Sequence, residues 1–243
     1  MMSSSHYSAI IFDIGDVLFS WSSKTHTSIP SQTLRRILAS PTWFEYERGQ
    51  LSQDECYARI ASEFSLDTEE IRKAFDEARD SMQCNEKMID LIRELKGQSH
   101  GLLRIFAMSN ISFPDYEVLR TKPADWSLFD HVFTSAAAGQ RKPNLSFYKK
   151  VLAEGNIDPH SAIFLDDKCE NVLSARSLGL HGIVFDDTEK VSRSLRNLTG
   201  DPVRRGRDFL SKNAGSLDSI TGDGGVLLEN FAQLLLLEAT GDS

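Results

Sequence analysis

Two apolar runs of this 243-residue chain end on acids that could act together. "AIIF" leads into Asp13, followed by Gly15 and Asp16, and "AIFL" leads into Asp166 and Asp167. Between them "LLRIFAMS" ends at Ser109 beside Asn110, and Lys142 stands in the segment "GQRKPN". Two or three carboxylates held within about 4 Å repel by roughly 4 kcal/mol per pair at an effective dielectric near 20, so they need a cation to stay ionised together. An all-oxygen donor set that leaves positions for water suits Mg2+. Bound Mg2+ screens a phosphate dianion, which lets a carboxylate approach phosphorus as a nucleophile and form an aspartyl-phosphate. Ser109, Asn110 and nearby backbone N–H groups suit phosphoryl oxygens, and Lys142 suits the remaining charge.

Bringing these residues together requires a particular scaffold. Residues 8–12, 102–109, 130–135, 161–167 and 181–187 read as strands. The segments 144–155 and 170–180 read as helices. Alternating strands and helices imply a parallel sheet covered on both faces, an α/β Rossmann-like architecture. Ligands of such sheets bind beyond the carboxyl ends of the strands, which is where the acids, Ser109 and Lys142 fall. Between the first strand and the rest, "SQTLRRILA", "SQDECYARIASEF", "DTEEIRKAFDEARDSM" and "NEKMIDLIRELKG" carry helical patterns. Ser52, Asp67 and Asn85 sit at N-cap positions, and Gly97 is expected to stop the last of these helices. The predicted organisation is a core at 1–19 and 98–200, a small inserted α-helical cap at 20–97 and a C-terminal extension at 201–243.

Composition narrows the classes. Lys and Arg number 27 against 35 Asp and Glu, a net charge of -8, so no basic field invites a nucleic acid backbone. Cys56, Cys84 and Cys169 are widely spaced and odd in number, which speaks against a disulfide framework or a structural zinc. The polar opening "MMSSSHYSA" has no apolar h-region, and no run reaches the roughly 18 apolar residues of a membrane span. A cytoplasmic protein without a membrane span is the expectation.

In order, "FDIGDVL", "IFAMSN", "RKP" and "IFLDDKCEN" resemble the motifs of the haloacid dehalogenase (HAD) superfamily over residues 8–198, and "YERGQLS" at 46–52 resembles its cap segment. The resemblance implies Asp13 as nucleophile, Ser109 as phosphate ligand, Lys142 as charge clamp and Asp166 with Asp167 as metal ligands. It also implies that the Gly15 carbonyl serves the metal. Most phosphatases of the superfamily carry a second aspartate where this chain has Gly15, acting as general acid and base. Here Asp16, a cap residue, water or the substrate must supply that proton, a function typically worth about 10² to 10⁴ in rate. Asn171 is a candidate to orient the acid pair, and Trp21, Trp43, Phe44 and Tyr46 are candidate apolar contacts for a leaving group.

Beyond residue 200, "SLDSITGDGG" and "ENFAQLLLLEATGD" resemble the segment that follows the HAD domain in drimane-type sesquiterpene cyclases, although the DxDTT motif of their second domain is absent. The expected activity is Mg2+-dependent hydrolysis of a small organic phosphate, with a terpenyl mono- or diphosphate as the finer reading. The apolar stretch 226–237 is expected to pack in a homodimer or against a partner domain. Two other readings compete: a metal-free haloacid dehalogenase, which has no use for adjacent acids at 166 and 167, and a non-catalytic docking domain. "DDKCE" also matches the DDxxD/E pattern of terpene synthases, but those acids lie in helices, whereas "AIFL" signals a strand.

Overall fold

The computed structural model describes residues 7–200. The extension at 201–243, with its 226–237 stretch, lies outside them. A five-stranded parallel sheet is built from β1 (Ala9–Phe12), β4 (Arg104–Ser109), β5 (His131–Thr134), β6 (Ala162–Asp166) and β7 (His181–Val184) in the order β5-β4-β1-β6-β7. All of β1 and β6 is buried, as expected for strands covered on both faces. The chain winds outward from β1 through β4 to β5, then returns to the other side of β1 with β6 and β7. The resulting switch point lies between β1 and β6, where a crevice opens at the strand ends. In register, Phe12 lies beside Ala107 and Leu165, so Asp13 emerges level with the end of β6. The Asp13 N–H donates to the Leu165 carbonyl at 2.7 Å.

Between β1 and β4 lie α1 (Ser31–Leu38), α2 (Pro41–Glu47), α3 (Gln53–Phe64), α4 (Thr68–Asp80) and α5 (Glu86–Gln98). Two short strands, β2 (Phe19–Ser20) and β3 (Gln83–Cys84), pair antiparallel and bring the two ends of the α1–α4 segment side by side. The segment has its own core, in which Ile29, Leu34, Ile37, Trp43, Tyr46, Tyr57, Ile60, Ile71 and Phe75 are buried together. The remaining helices are α6 (Phe113–Leu119), α7 (Ser135–Ala138), α8 (Leu145–Glu154), α9 (Cys169–Ser177) and α10 (Thr188–Thr199).

The expected caps are in place. Ser52 and Glu55 form a reciprocal capping box, Asp67 accepts from the N–H groups of Glu69 and Glu70, and Asn85 accepts from Met88. Gly97 does not end its helix. α5 runs through it to Gln98, and the chain turns instead at His100 and Gly101, whose φ angles are 51° and 82°. Among the described residues no helix is long and apolar enough to cross a membrane, and the three cysteines are free thiols.

Phe164 is wholly buried on β6, edge-on to Tyr148 with ring centroids 5.4 Å apart. Phe164→Ala is expected to cost about 3–5 kcal/mol in a urea titration. A loss below about 1 kcal/mol would contradict this packing.

Candidate active site

Two buried acids share one buried cation. The Lys142 ammonium lies 2.7 Å from Asp13 Oδ1 and 2.7 Å from Asp166 Oδ2, and donates its third bond to the Met108 carbonyl at 2.8 Å. All three ammonium protons are therefore used, and Lys142 is 1% exposed. The lysine arrives from the loop before α8. There Asn110 holds its backbone at both ends: Asn110 Oδ1 accepts from the Lys142 N–H at 2.8 Å, and Nδ2 donates to the Lys142 carbonyl at 2.9 Å. Asn110, expected to touch substrate, thus spends these bonds on placing Lys142.

Asp166 is held on both oxygens. Besides Lys142, its Oδ1 accepts from the Lys168 N–H at 2.9 Å and from Asn171 Nδ2 at 2.8 Å, which gives Asn171 the orienting position anticipated for it. Asp13 Oδ1 also accepts from the Ile14 N–H at 2.7 Å. Burial pushes the Asp13 carboxyl up to about 7. Repulsion from Asp166 adds to the rise, and Lys142 opposes both influences. Burial alone would depress the Lys142 ammonium, but Asp13 and Asp166 outweigh it and hold it above its ordinary value.

Asp167 follows β6 and differs from its neighbours. Oxygens of Asp13, Asp166 and Asp167 lie within 4.8 Å of one another. Among the described residues, Asp167 Oδ1 is the one fully buried side-chain oxygen or nitrogen without a hydrogen-bond partner. Such an orphan costs about 1–3 kcal/mol, and a cation would satisfy it. Burial, then the charges of Asp166 and Asp16, raise the Asp167 carboxyl against the pull of Lys168 and Lys142. An oxygen-only cluster carrying three acids and one ammonium fits a hard divalent cation.

Above the acids is a cavity of about 250 Å³, lined by Asp13, Gly15, Asp16, Ser109, Asn110, Lys142, Lys168 and Asn171 on the core side. Asp16 is exposed and takes a positive φ of 56° in the turn after β1. The helical insertion supplies Trp21, Leu38, Trp43, Phe75, Ala78 and Met82, so the cavity pairs an acidic floor with an apolar roof. Only two of the four aromatic candidates line it. Phe44 instead lies 3.8 Å from the Arg141 guanidinium, and Tyr46 is 1% exposed within the core of the insertion.

Sequence reasoning missed two ion pairs that tie roof to floor. Glu47 Oε2 accepts from Arg141 Nε at 2.8 Å, and Arg79 Nη1 donates to Asp115 Oδ1 at 2.7 Å. Asp115 is further held by Ser112 Oγ at 2.7 Å. "YERG" and "RKP" each contain one member of the first pair, but no local signal links residues so far apart. Gly49, with φ at 69°, lets the chain pass close to the core: a Cβ there would stand 2.9 Å from Phe113 and 3.1 Å from the Ala136 carbonyl.

Residues 10–185 match the haloacid dehalogenase-like hydrolase family, and the chain belongs to it. Residues 203–243 match the sesquiterpene cyclase astC-like C-terminal domain. The sesquiterpene phosphatase astK of Aspergillus oryzae is 38% identical over 194 residues, which cover 80% of this chain and 97% of astK. Drimenol cyclase drtB of Aspergillus calidoustus is 42% identical over 234 residues. That match takes in 96% of this chain but 44% of drtB, so the chain spans less than half of this relative. A HAD-family enzyme of Bacteroides thetaiotaomicron, solved as a magnesium complex, shares the fold with a TM-score of 0.63 and 18% identity over 79% of this chain and 99% of its own.

The raised Asp13 carboxyl has a definite sign. Between its ordinary value of 3.8 and about 7 the folded protein holds a proton that the unfolded chain releases, so stability falls as pH rises through that window. Melting temperatures of the metal-free protein are expected to decline from about pH 4 to pH 7. Asp13→Asn should flatten that decline, and an unchanged slope in the variant would contradict the assignment.

Proposed function

We infer that this protein is a Mg2+-dependent phosphatase that hydrolyses a small organic phosphate through an aspartyl-phosphate on Asp13. The reading is carried by one observation: Asp13, which lines the cavity and is bonded to Lys142, has a carboxylate oxygen within 4.8 Å of those of Asp166 and Asp167, and Asp167 keeps a buried oxygen without a partner. Asp13, Asp166, Asp167 and the Gly15 carbonyl would hold the magnesium, which when bound neutralises the acids and the phosphate dianion. Lys142 orients Asp13 and favours its ionised form against the effect of burial, so that its carboxylate can attack phosphorus. Ser109, at the end of β4 and lining the cavity, donates to a phosphoryl oxygen. Asn110 serves that geometry by fixing Lys142. Asp16, on the exposed turn after Gly15, stands where it can exchange protons with solvent.

The finer reading is a terpenyl substrate, a drimanyl-type mono- or diphosphate of terpenoid biosynthesis. Its support is the apolar roof of Trp21, Leu38, Trp43, Phe75 and Met82, which suits a hydrocarbon alcohol better than a sugar. The likeness to a sesquiterpene phosphatase and to a drimenol cyclase points the same way. The orphaned Asp167 oxygen disfavours a metal-free dehalogenase.

Farnesyl and drimanyl phosphates are expected to turn over with Mg2+, faster than glucose 6-phosphate, and EDTA or Asp13→Asn should abolish turnover. Activity persisting in EDTA or in the variant would refute the mechanism, whereas preference for the sugar phosphate would refute only the substrate class. In the absence of substrate, saturating Mg2+ should raise the melting temperature, with about 2.7 kcal/mol gained at a hundred times the dissociation constant. Asp167→Asn should remove most of that gain.

A further inference from the structure

Position 15 is open. A Cβ built on Gly15 meets nothing within 4 Å, so no steric demand accounts for a glycine there, and the cavity lacks a carboxyl group at that point. Expelling an alkoxide from phosphorus nevertheless needs a proton. The acids lining the cavity can be sorted by their partners. Asp13 is bound to Lys142, and Asp115 is engaged by Arg79 and Ser112. Asp16 is exposed. Glu47, bonded through Oε2 to Arg141, sits on the last turn of α2 and lines the same cavity from the helical insertion.

We propose that Glu47, from the helical insertion, is the acid and base that position 15 lacks. This assignment rests on the phosphatase reading. Glu47 is held for the task by Arg141, whose Nε bonds its Oε2 at 2.8 Å and whose guanidinium is stacked on Phe44. Its backbone carbonyl accepts from Ser135 Oγ at 2.6 Å, which anchors the end of α2 to the core. The charged and polar groups facing its carboxyl are Arg141 from the loop before α8, Lys168 at the start of α9 and Trp43 on its own helix. Burial outweighs them and keeps the carboxyl above its ordinary value.

In the first step an Asp13 oxygen forms a bond to phosphorus and the phosphorus–ester oxygen bond breaks. The electron pair stays on the departing oxygen, which takes the Glu47 proton and leaves as the alcohol. In the second step a water oxygen attacks the same phosphorus while its proton passes to the Glu47 carboxylate. The bond to Asp13 breaks, releasing phosphate and restoring both side chains.

The test compares two esters under single turnover with Mg2+: octyl phosphate, whose alkoxide needs protonation, and p-nitrophenyl phosphate, whose phenolate leaves without it. Glu47→Gln, which can still accept from Arg141, should slow phosphorylation by octyl phosphate by about 10² to 10⁴, and by p-nitrophenyl phosphate by less than about tenfold. Glu47→Asp should recover part of the octyl phosphate rate. The wild-type rate on octyl phosphate should decline at high pH, and that limb should vanish in Glu47→Gln. An equal loss on both esters, the mark of a residue that only docks the insertion, would overturn the assignment, as would no loss on either. The Mg2+-induced rise in melting temperature verifies that each variant is folded. A wild-type protein inactive on both esters would instead defeat the phosphatase reading itself, and the Glu47 assignment with it.

Discussion

The ammonium of Lys142 is the point on which the site is built. Two ionised carboxylates at 0% and 6% exposure would each carry a desolvation penalty of several kcal/mol, and together they would repel. One cation bonded to both, with its last proton on the Met108 carbonyl, offsets repulsion and leaves no donor idle. The bill is met by the sheet: β1 and β6 are adjacent and in register, so Asp13 and Asp166 leave neighbouring strand ends. Asn110 clamps the Lys142 backbone from the end of β4. Removing the lysine would strand two buried charges, whereas removing Asp167 would relieve an orphan. The two acids at 166 and 167, adjacent in the chain, therefore have opposite energetic characters.

The cavity divides along the same lines as the chain. Its floor comes from strand ends and is charged, and its roof comes from the helical insertion and is mostly aromatic and aliphatic. A ligand filling it would place its anionic end among fixed charges and its apolar end against Trp21, Leu38, Trp43, Phe75 and Met82, beside the paired charges of Glu47 and Arg79. The two ion pairs joining roof to floor have opposite polarity, with the insertion contributing Glu47 to one and Arg79 to the other. An insertion shifted relative to the floor would bring like charges closer in neither pair but would break both. They therefore fix where the roof sits more than how strongly it is held.

Much of the floor is legible in the chain because buried parallel strands are continuous apolar runs: β4 and β6 end on the first polar residue after such a run, and β1 ends one residue before it. Helices with side-chain caps, such as α3 and α4, are legible for the same local reason. Sequence patterning misses α2, α6, α7 and α10, and two of these are instructive. α2 and α6 are each seven residues long, too short for a clear periodic signal, although Ser40 before Pro41 and Ser112 before Pro114 carry the cap-and-proline signature. The roof is less legible than the floor. Nothing in "TWFEY" distinguishes Trp43, which faces the cavity, from Tyr46, which packs inward, because that choice depends on how α2 lies against α3 and α4. The pairs Glu47–Arg141 and Arg79–Asp115 join residues 94 and 36 positions apart, and they form only once the insertion is docked.

The β2–β3 pairing has a wider implication. Because Phe19 lies opposite Cys84 and Ser20 opposite Gln83, the segment between them leaves and rejoins the sheet-bearing part at almost one spot. The segment between can be lengthened or shortened during evolution without disturbing the order of the strands or the lysine between its two acids, provided α2 still delivers Glu47 to the cavity. A lineage built this way can diversify in what it recognises around a fixed nucleophile.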